Sequence, residues 1–255
     1  MATSSLKTRI LAGEACFGLF CSIPSAVALE QLAVAGYDFV IIDLEHTLIS
    51  PEQVETMILA ARAQRLDVLL RVPPRAPHLV VPLLDAGAAG IVFARVEDAD
   101  QARKAVELCH YAPRGQRGLN STRASRYGAD DLAAYTLDAA ADTLVVVMIE
   151  SRQGLDHLAA IAGVDGVDVV LEGAADLSQS LGLHWQTQHP EVRAAIERMY
   201  AITRSAGKVF CALPRDPQAI RHWRRQGVSM FVLGDDRGIM RRAHQAHLQT
   251  HKEIS

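Results

Sequence analysis

A regular alternation of short apolar runs with amphipathic segments, repeated eight times, constrains this chain more than any other feature. The runs have the length of buried strands, and the segments between them have helical periodicity. Strict alternation requires parallel strands joined by right-handed crossovers. Eight units in 255 residues favour a single-domain (β/α)8 barrel over residues 1–255, with an open doubly wound sheet as the alternative. The predicted strands are residues 16–21, 39–46, 68–72, 90–96, 145–150, 169–173, 208–213 and 230–234.

One segment, residues 112–128, breaks this rhythm because it is basic, rich in glycine and longer than an ordinary connection. A functional loop is therefore expected there. Its Arg114 and Arg117 either close over an anionic substrate or form part of a solvated basic surface.

Composition limits the classes of partner. The formal net charge of -3 argues against nucleic acid as a bulk electrostatic partner. No run approaches the ~20 apolar residues of a membrane helix, and the first residues lack the apolar core of a signal peptide. The four cysteines show no CxxC spacing, so reduced, buried thiols and a cytosolic location are expected.

Ionisable groups crowd the predicted carboxyl ends of the strands, where barrel enzymes place their chemistry. Glu150 and Asp176 follow neighbouring strands and should converge at one rim. Two carboxylates without a nearby Cys or His would suit Mg²⁺ or Mn²⁺, with water and substrate oxygens completing the coordination. The alternative is two surface acids at the ends of unrelated strands. Glu172 either extends this site or lies just behind it.

The second and third predicted strands end in further candidates. His46 is either a general base oriented by Asp43 or a capping or core histidine. Arg71 either holds a carboxylate or developing enolate oxygen, or forms an ion pair with Glu45. Trp185 is expected to be a packing residue.

Several motifs along the chain carry a resemblance to a known family. An Asp-x-Glu-His motif ends at His46, and a Gly-x-x-Asp-Leu-Ser motif begins at Gly173. Further matching pieces are Leu70-Arg-Val-Pro73, Leu84-Asp-Ala-Gly-Ala-Ala-Gly90, Tyr111-Ala-Pro-Arg-Gly-Gln-Arg-Gly118 and Ile149-Glu150. With these motifs the chain resembles the HpcH/HpaI aldolase and citrate lyase family of metal-dependent barrels.

The resemblance implies a role for each matching residue. Glu150 and Asp176 align with the metal-binding carboxylates, Arg71 with the arginine that contacts the 2-oxo acid, and Asp43 with His46 as the acid–base dyad. Family aldolases form an enolate from a 2-oxo acid on the metal. The resemblance also implies a homo-oligomer, a hexamer or a dimer, in which subunits exchange the last helix.

Two departures from the aldolase pattern bear on substrate binding. Met148 replaces the usual glutamine before Ile-Glu, and Ala174-Ala175 replaces Pro-x before Asp-Leu. These changes resemble the branch that makes citrate for siderophores from oxaloacetate and acetyl-CoA. Arg71, Ala175, Met148 and Arg117 are therefore the predicted substrate-binding residues, with Arg114 or Arg117 available for CoA phosphates. A pyruvate-dependent aldolase of 4-hydroxy-2-oxo acids and a non-catalytic barrel that binds a 2-oxo acid are the alternatives.

Overall fold

The fold is a closed barrel of eight parallel strands, seen in a computed structural model that describes residues 4–252. The strands pair in chain order and the last pairs with the first, so the predicted closed barrel is confirmed and the open sheet is excluded. The strands are β1 Cys16–Cys21, β2 Phe39–Asp43, β3 Asp67–Val72, β4 Gly90–Phe93, β5 Leu144–Ile149, β6 Val169–Glu172, β7 Val209–Ala212 and β8 Met230–Asp235.

Helices follow each strand and cover the barrel. Several begin where the sequence supplies a capping side chain: Ser50 accepts from the backbone N–H of Gln53, whose side chain in turn accepts from Ser50 N–H. Asp98 and Asp216 cap two further helices by accepting from the backbone N–H groups of Gln101 and Ala219, without the reciprocal bond. The helices are α1 Leu6–Leu11, α2 Ala26–Val34, α3 Pro51–Ala63, α4 Val80–Asp85, α5 Ala99–Cys109, α6 Leu132–Asp142, α7 Arg152–Asp156, α8 Leu158–Ala162, α9 Ala174–Ser180, α10 Pro190–Ser205, α11 Pro217–Arg225 and α12 Asp236–Lys252.

Side chains along each strand alternate between the barrel interior and the layer beneath the helices. The interior cluster contains Phe39, Ile41, Leu69, Val146 and Leu171, whereas their strand neighbours pack in the outer cluster. Continued to the strand ends, this alternation points Asp43, Arg71 and Met148 inward. It points Glu172 outward, because Leu171 beside it fills the interior.

The long segment after α5 begins at the amino-terminal end of the barrel. It runs through an irregular 3₁₀ turn at Arg123–Gly128 before α6, and Arg123 pairs with Glu55 on α3 at 2.6 Å. Arg117 is buried, forms an ion pair with Asp85 at 2.6 Å and lies over the Tyr111 ring. This part of the segment therefore fastens helices to one another.

The last helix projects from the barrel. Its start is fixed where Asp236 accepts hydrogen bonds from the backbone N–H groups of Ser22 and Ile23, and Asp235 accepts one from Gly238. Beyond Ile239 every residue as far as Lys252 is exposed.

Two further expectations have clear outcomes. All four cysteines are free and buried, as predicted. The prediction for Trp185 is wrong, because its side chain is 81% exposed and not packed in the core. Across residues 4–252, none of the helices combines the length and apolar character needed to cross a membrane.

Candidate active site

An Asp–Arg pair lies at the carboxyl end of the barrel interior. Asp43 and Arg71 occupy paired positions on β2 and β3, and both are buried. Arg71 Nε and Nη2 donate to the two Asp43 carboxylate oxygens at 3.0 and 2.8 Å. Burial alone would raise the pKa of Asp43, but the guanidinium and the backbone N–H groups of Glu45 and His46 outweigh it and lower the pKa. Asp43 therefore stays ionised and holds Arg71 in place.

The remaining face of Arg71 is also fixed by neighbours. Its guanidinium lies 4.6 Å from the centroid of the Phe20 ring, a cation–π contact. Its Nη1 is 3.9 Å from Met148 Sδ and 3.4 Å from Glu45 Oε2. Among residues 4–252 Nη1 pairs with Glu45 but makes no hydrogen bond to an oxygen, so its N–H groups can serve a substrate oxygen.

Glu150 is a buried acid of this rim with a raised pKa. Its Oε1 accepts a 2.8 Å hydrogen bond from the backbone N–H of Arg95, which has a φ of 52°. Such a φ is uncommon for a non-glycine residue and turns this N–H toward the carboxylate. Burial raises the pKa of Glu150 to about 7, and the negative charges of Glu45 and Asp176 add to the effect.

Gly173 brings the Glu150 and Asp176 segments together. It ends β6 directly before α9, whose first turn carries Asp176. A Cβ at Gly173 would lie 2.5 Å from Glu150 Cβ and 2.7 Å from its Oε2. The Glu150 carboxylate can occupy its position only because residue 173 has no side chain.

This arrangement fits a hard divalent cation. Glu150 and Asp176 would supply carboxylate oxygens, and a cation would stabilise the charged form of Glu150, whose pKa is raised by burial and by the nearby charges of Glu45 and Asp176. Glu45 Oε2 is buried without a hydrogen-bond partner in the described chain. Within residues 4–252 no group of three or more His, Cys, Asp or Glu is arranged to hold a metal ion. Two protein carboxylates would leave positions for water and substrate, as Mg²⁺ prefers.

The predicted contact between Asp43 and the His46 ring is not formed. Among residues 4–252, the Asp43 carboxylate bonds to Arg71 and to backbone N–H groups, including that of His46 itself. The His46 side chain is 59% exposed, and its Nε2 is 3.8 Å from Glu45 Oε2. In this structure Asp43 positions the loop that carries the histidine, and Glu45 is the acid nearest the ring.

The other predicted substrate-binding residues divide into two groups. Met148 contacts Arg71, and Ala175 lies in the first turn of α9 beside Asp176. The prediction that Arg117 binds the substrate of its own barrel is wrong, because Arg117 forms an ion pair with Asp85. Asp85 ends α4 just before β4. Residues that precede strands lie at the opposite end of the barrel from the rim. Arg114 lies at that end too, in an exposed pair with Asp165.

Three contributors to the site were absent from the predicted set: Phe20 lies against Arg71, Arg95 donates a backbone N–H, and Gly173 provides space. Glu45 was expected only as an alternative ion-pair partner of Arg71; it forms that pair at 3.4 Å and also lies near His46. The strand alternation could have identified Phe20 as an interior residue at the end of β1. No pattern in the sequence indicates the turned backbone at Arg95.

Comparison with known proteins gives consistent matches. The family model for HpcH/HpaI aldolase/citrate lyase matches residues 16–243. The hydroxypyruvate/pyruvate aldolase of Roseobacter denitrificans is 36% identical over 220 residues, which cover 86% of this chain and 85% of the relative. The 4-hydroxy-2-oxo-heptane-1,7-dioate aldolase of Shigella sonnei is 35% identical over 95% of this chain and 93% of its own.

Solved structures agree with these matches. The crystal structure of the citrate synthase SbnG superposes with a TM-score of 0.92 at 38% identity, covering 98% of both chains. A HpcH/HpaI aldolase/citrate lyase family protein from Burkholderia cenocepacia superposes with a TM-score of 0.90 at 35% identity, covering 98% of this chain and 100% of its own. The family model, the aldolase relatives and the shared barrel together place this chain in the HpcH/HpaI aldolase/citrate lyase family.

Proposed function

We propose that this protein, a carbon–carbon lyase or synthase by family, condenses oxaloacetate with acetyl-CoA to give citrate. The observation that carries the proposal is the likeness to the citrate synthase SbnG along 98% of both chains. The Met148 thioether supports it, because it lies 3.9 Å from Arg71 where family aldolases usually carry a glutamine amide. An apolar group there removes a polar contact that would hold water or an aldehyde oxygen.

The metal is the second part of the proposal. Aldolases of this family generally depend on a divalent metal ion. Glu150 and Asp176 would hold Mg²⁺ or Mn²⁺, since both ions favour carboxylate and water oxygens. When bound, the ion would polarise the 2-oxo group of oxaloacetate and so favour attack on its carbon.

The chain's own residues would then orient the substrates and move the proton. Arg71, kept charged and immobile by Asp43, presents Nη1 to a carboxylate or developing oxyanion of oxaloacetate. The His46 ring would take a proton from the acetyl methyl group, with Glu45 stabilising the imidazolium. The resulting enolate carbon forms a bond to the oxaloacetate carbonyl carbon, and the carbonyl oxygen takes the proton back from the His46 imidazolium, which gives citryl-CoA. Water then cleaves the thioester to give citrate and free CoA.

A pyruvate-dependent aldolase is the second candidate. The aldolase relatives from Roseobacter denitrificans and Shigella sonnei share about as much identity with this chain as SbnG does. An aldolase needs the same Arg71, Glu150 and Asp176, and its acceptor would be an aldehyde. The two reactions therefore differ in the co-substrate and not in how the 2-oxo acid is held.

Thiol release separates the two reactions. Purified protein is incubated with oxaloacetate, acetyl-CoA and Mg²⁺ or Mn²⁺, and free CoA is measured with a thiol reagent. Pyruvate production from 4-hydroxy-2-oxo acids is followed in parallel by coupling to lactate dehydrogenase. CoA release that requires oxaloacetate and stops with a chelator is expected. If pyruvate is released and no divalent metal supports CoA release, the protein is an aldolase and the proposed synthase reaction is wrong.

The exposed last helix supports a further part of the proposal, a homo-oligomer that exchanges α12 between subunits. Met240 and Leu248 are 47% and 55% exposed on a helix that leaves its own barrel. Ending the chain at Ile239 keeps the hydrogen bonds of Asp235 and Asp236 and removes the exposed part. Light scattering should then show a monomer in place of a multimer. An unchanged mass would contradict the exchange.

A further inference from the structure

A cavity lies outside the barrel, next to the rim that carries the candidate active site. It has a volume of about 510 Å³ and is bounded by the ends of β6 and β7 and by α10 and α11. We call it the outer cavity. Its lining includes Glu172, Gln188, Arg193, Arg215, Arg225 and Trp223. It is separate from the metal-site carboxylates because Glu172 points away from the barrel interior, whereas Glu150 points into it.

Glu172 gives this cavity an unsatisfied acceptor. The side chain is 2% exposed, and its Oε1 accepts a 2.7 Å hydrogen bond from the backbone N–H of Leu213. Its Oε2 is buried and has no hydrogen-bond partner among residues 4–252. A buried acceptor without a partner costs free energy, and a ligand N–H group would remove that cost. Burial also raises the pKa of Glu172 to about 7.

The lining of the outer cavity contains three arginines and three carboxylates. Two of the carboxylates are already engaged, because Glu197 lies 2.8 Å from His222 Nε2 and Asp216 caps α11 by accepting from the backbone N–H of Ala219. The three arginines, Arg193, Arg215 and Arg225, have no ion-pair partner among residues 4–252. Arginine forks bind phosphate oxygens in a bidentate manner. The occupant should therefore combine an amino group for Glu172 with more than one negative charge.

One of the two tryptophans of the chain lines this cavity, and the other lies two residues from it in sequence. Trp223 is 6% exposed, forms part of the wall and packs against Phe210 at 5.2 Å between ring centroids. Trp185 is exposed, with a φ of 65°, two residues before Thr187 in the lining. An aromatic wall beside arginines is an arrangement that suits a base and its phosphates.

We propose that the outer cavity binds an adenosine phosphate, with the base amino group donating to Glu172 Oε2 and the phosphates on Arg193 and Arg215. The physiological ligand would be the phosphoadenosine end of acetyl-CoA, and this identification rests on the proposed synthase reaction. Glu172 ends β6 and Asp176 follows four residues later in α9, so the outer cavity and the candidate active site share the carboxyl end of the barrel.

Binding is tested on the full-length protein without metal or turnover. Adenosine 3′,5′-bisphosphate, adenosine and inorganic phosphate are titrated in the presence of a chelator, with tryptophan fluorescence and calorimetry as readouts. The bisphosphate should bind at least about tenfold more tightly than adenosine, since charge-assisted contacts to arginine are the stronger ones. Equal, millimolar binding of all three probes would overturn the proposal.

Substitutions locate the site. Arg215→Gln should weaken bisphosphate binding about tenfold, whereas Arg221→Gln, at an exposed position of α11 outside the lining, should change it less than about twofold. Equal effects of the two variants would indicate diffuse charge attraction and overturn the site. Glu172→Gln keeps an acceptor for Leu213 N–H but turns an amide donor into the cavity. The Glu172→Gln variant should lose the preference for adenosine monophosphate over inosine monophosphate. A preserved preference would contradict the role of Glu172.

Steady-state kinetics separate this site from the proposed reaction. Nucleotide binding without any CoA release would keep the cavity assignment and remove the citrate-forming reaction. CoA release with an unchanged KM for acetyl-CoA in Arg215→Gln would keep the reaction and remove the cavity assignment. Circular dichroism of each variant checks that it is folded before either conclusion is drawn.

Discussion

Replacing Gly173 by alanine tests the geometry of the candidate active site most directly. The added methyl group would lie 2.5 Å from Glu150 Cβ, 2.7 Å from its Oε2 and 3.0 Å from Met148 Cε. Carbon atoms in contact normally lie about 3.5–4.0 Å apart, so the overlap with Glu150 Cβ is about 1 Å. The Cβ atom of Glu150 is close to its own backbone and cannot rotate away. The Glu150 carboxylate must therefore move.

The structure allows two magnitudes to be estimated for this change. Forcing a methyl group into a packed site costs about 1–3 kcal/mol of unfolding free energy. In a chain of this size that corresponds to a fall in Tm of roughly 2–12 °C. A displacement of about 1 Å in a positioning group can cost about 100-fold in rate. Activity should thus fall far more than stability does.

Three measurements check this expectation. Calorimetry gives Tm, titration with Mn²⁺ gives metal affinity without any substrate, and the thiol-release or pyruvate assay gives turnover. Gly118→Ala is the matched control, because a Cβ there meets no atom within 4 Å and its φ is not in the left-handed region. If Gly173→Ala kept Mn²⁺ affinity and turnover within about twofold of Gly118→Ala, the inferred Glu150 site would be wrong.

Three other expectations follow from the same contacts. Asp43→Ala leaves the buried Arg71 without its main partner and should lower the free energy of unfolding, measured in urea, by about 3–5 kcal/mol. The control Asp100→Ala removes an exposed ion pair and should lower it by at most about 1 kcal/mol. Equal losses in the two variants would show that the Asp43–Arg71 pair is not buried. Met148→Gln returns the amide typical of aldolases and should raise the ratio of pyruvate release to CoA release, and an unchanged or lower ratio would remove Met148 as a specificity residue. In the folded protein the pKa of Glu172 is raised from 4.5 to about 7, so between these values the folded state binds a proton that the unfolded state has released. The free energy of unfolding should therefore fall as pH rises from about 5 to 8. That fall should be smaller in Glu172→Gln when unfolding is measured with a chelator, and an identical pH dependence in the variant would contradict the raised pKa.

Electrostatics explain why the rim acids differ from one another. Asp43 has a guanidinium within hydrogen-bond distance, and the lowered pKa keeps it charged. Glu150 is buried with one backbone N–H donor and two acidic neighbours, so burial first and the neighbouring charges second raise its pKa. Two carboxylates at the ends of β2 and β5 thus take different tasks, one holding an arginine and the other suited to a cation.

The fold could be predicted from the sequence because alternation of apolar runs and helical segments is a local property. Eight such units leave few ways to pair parallel strands, and the structure has the closed order. The strand alternation also determines which terminal residues face inward, so Arg71 and Glu150 could be expected near each other. Strand spacing and side-chain period are fixed by the backbone, and both can be counted along the chain.

Tertiary packing alone decided the partners of each polar group. Asp43 was expected to orient the His46 ring but bonds to Arg71, because their strands are paired in register and the histidine lies on the loop beyond. Arg117 was expected at the rim but is buried at the opposite end with Asp85. Hydrogen bonds and ion pairs depend on distances between segments far apart in sequence, and only the closed barrel sets those distances.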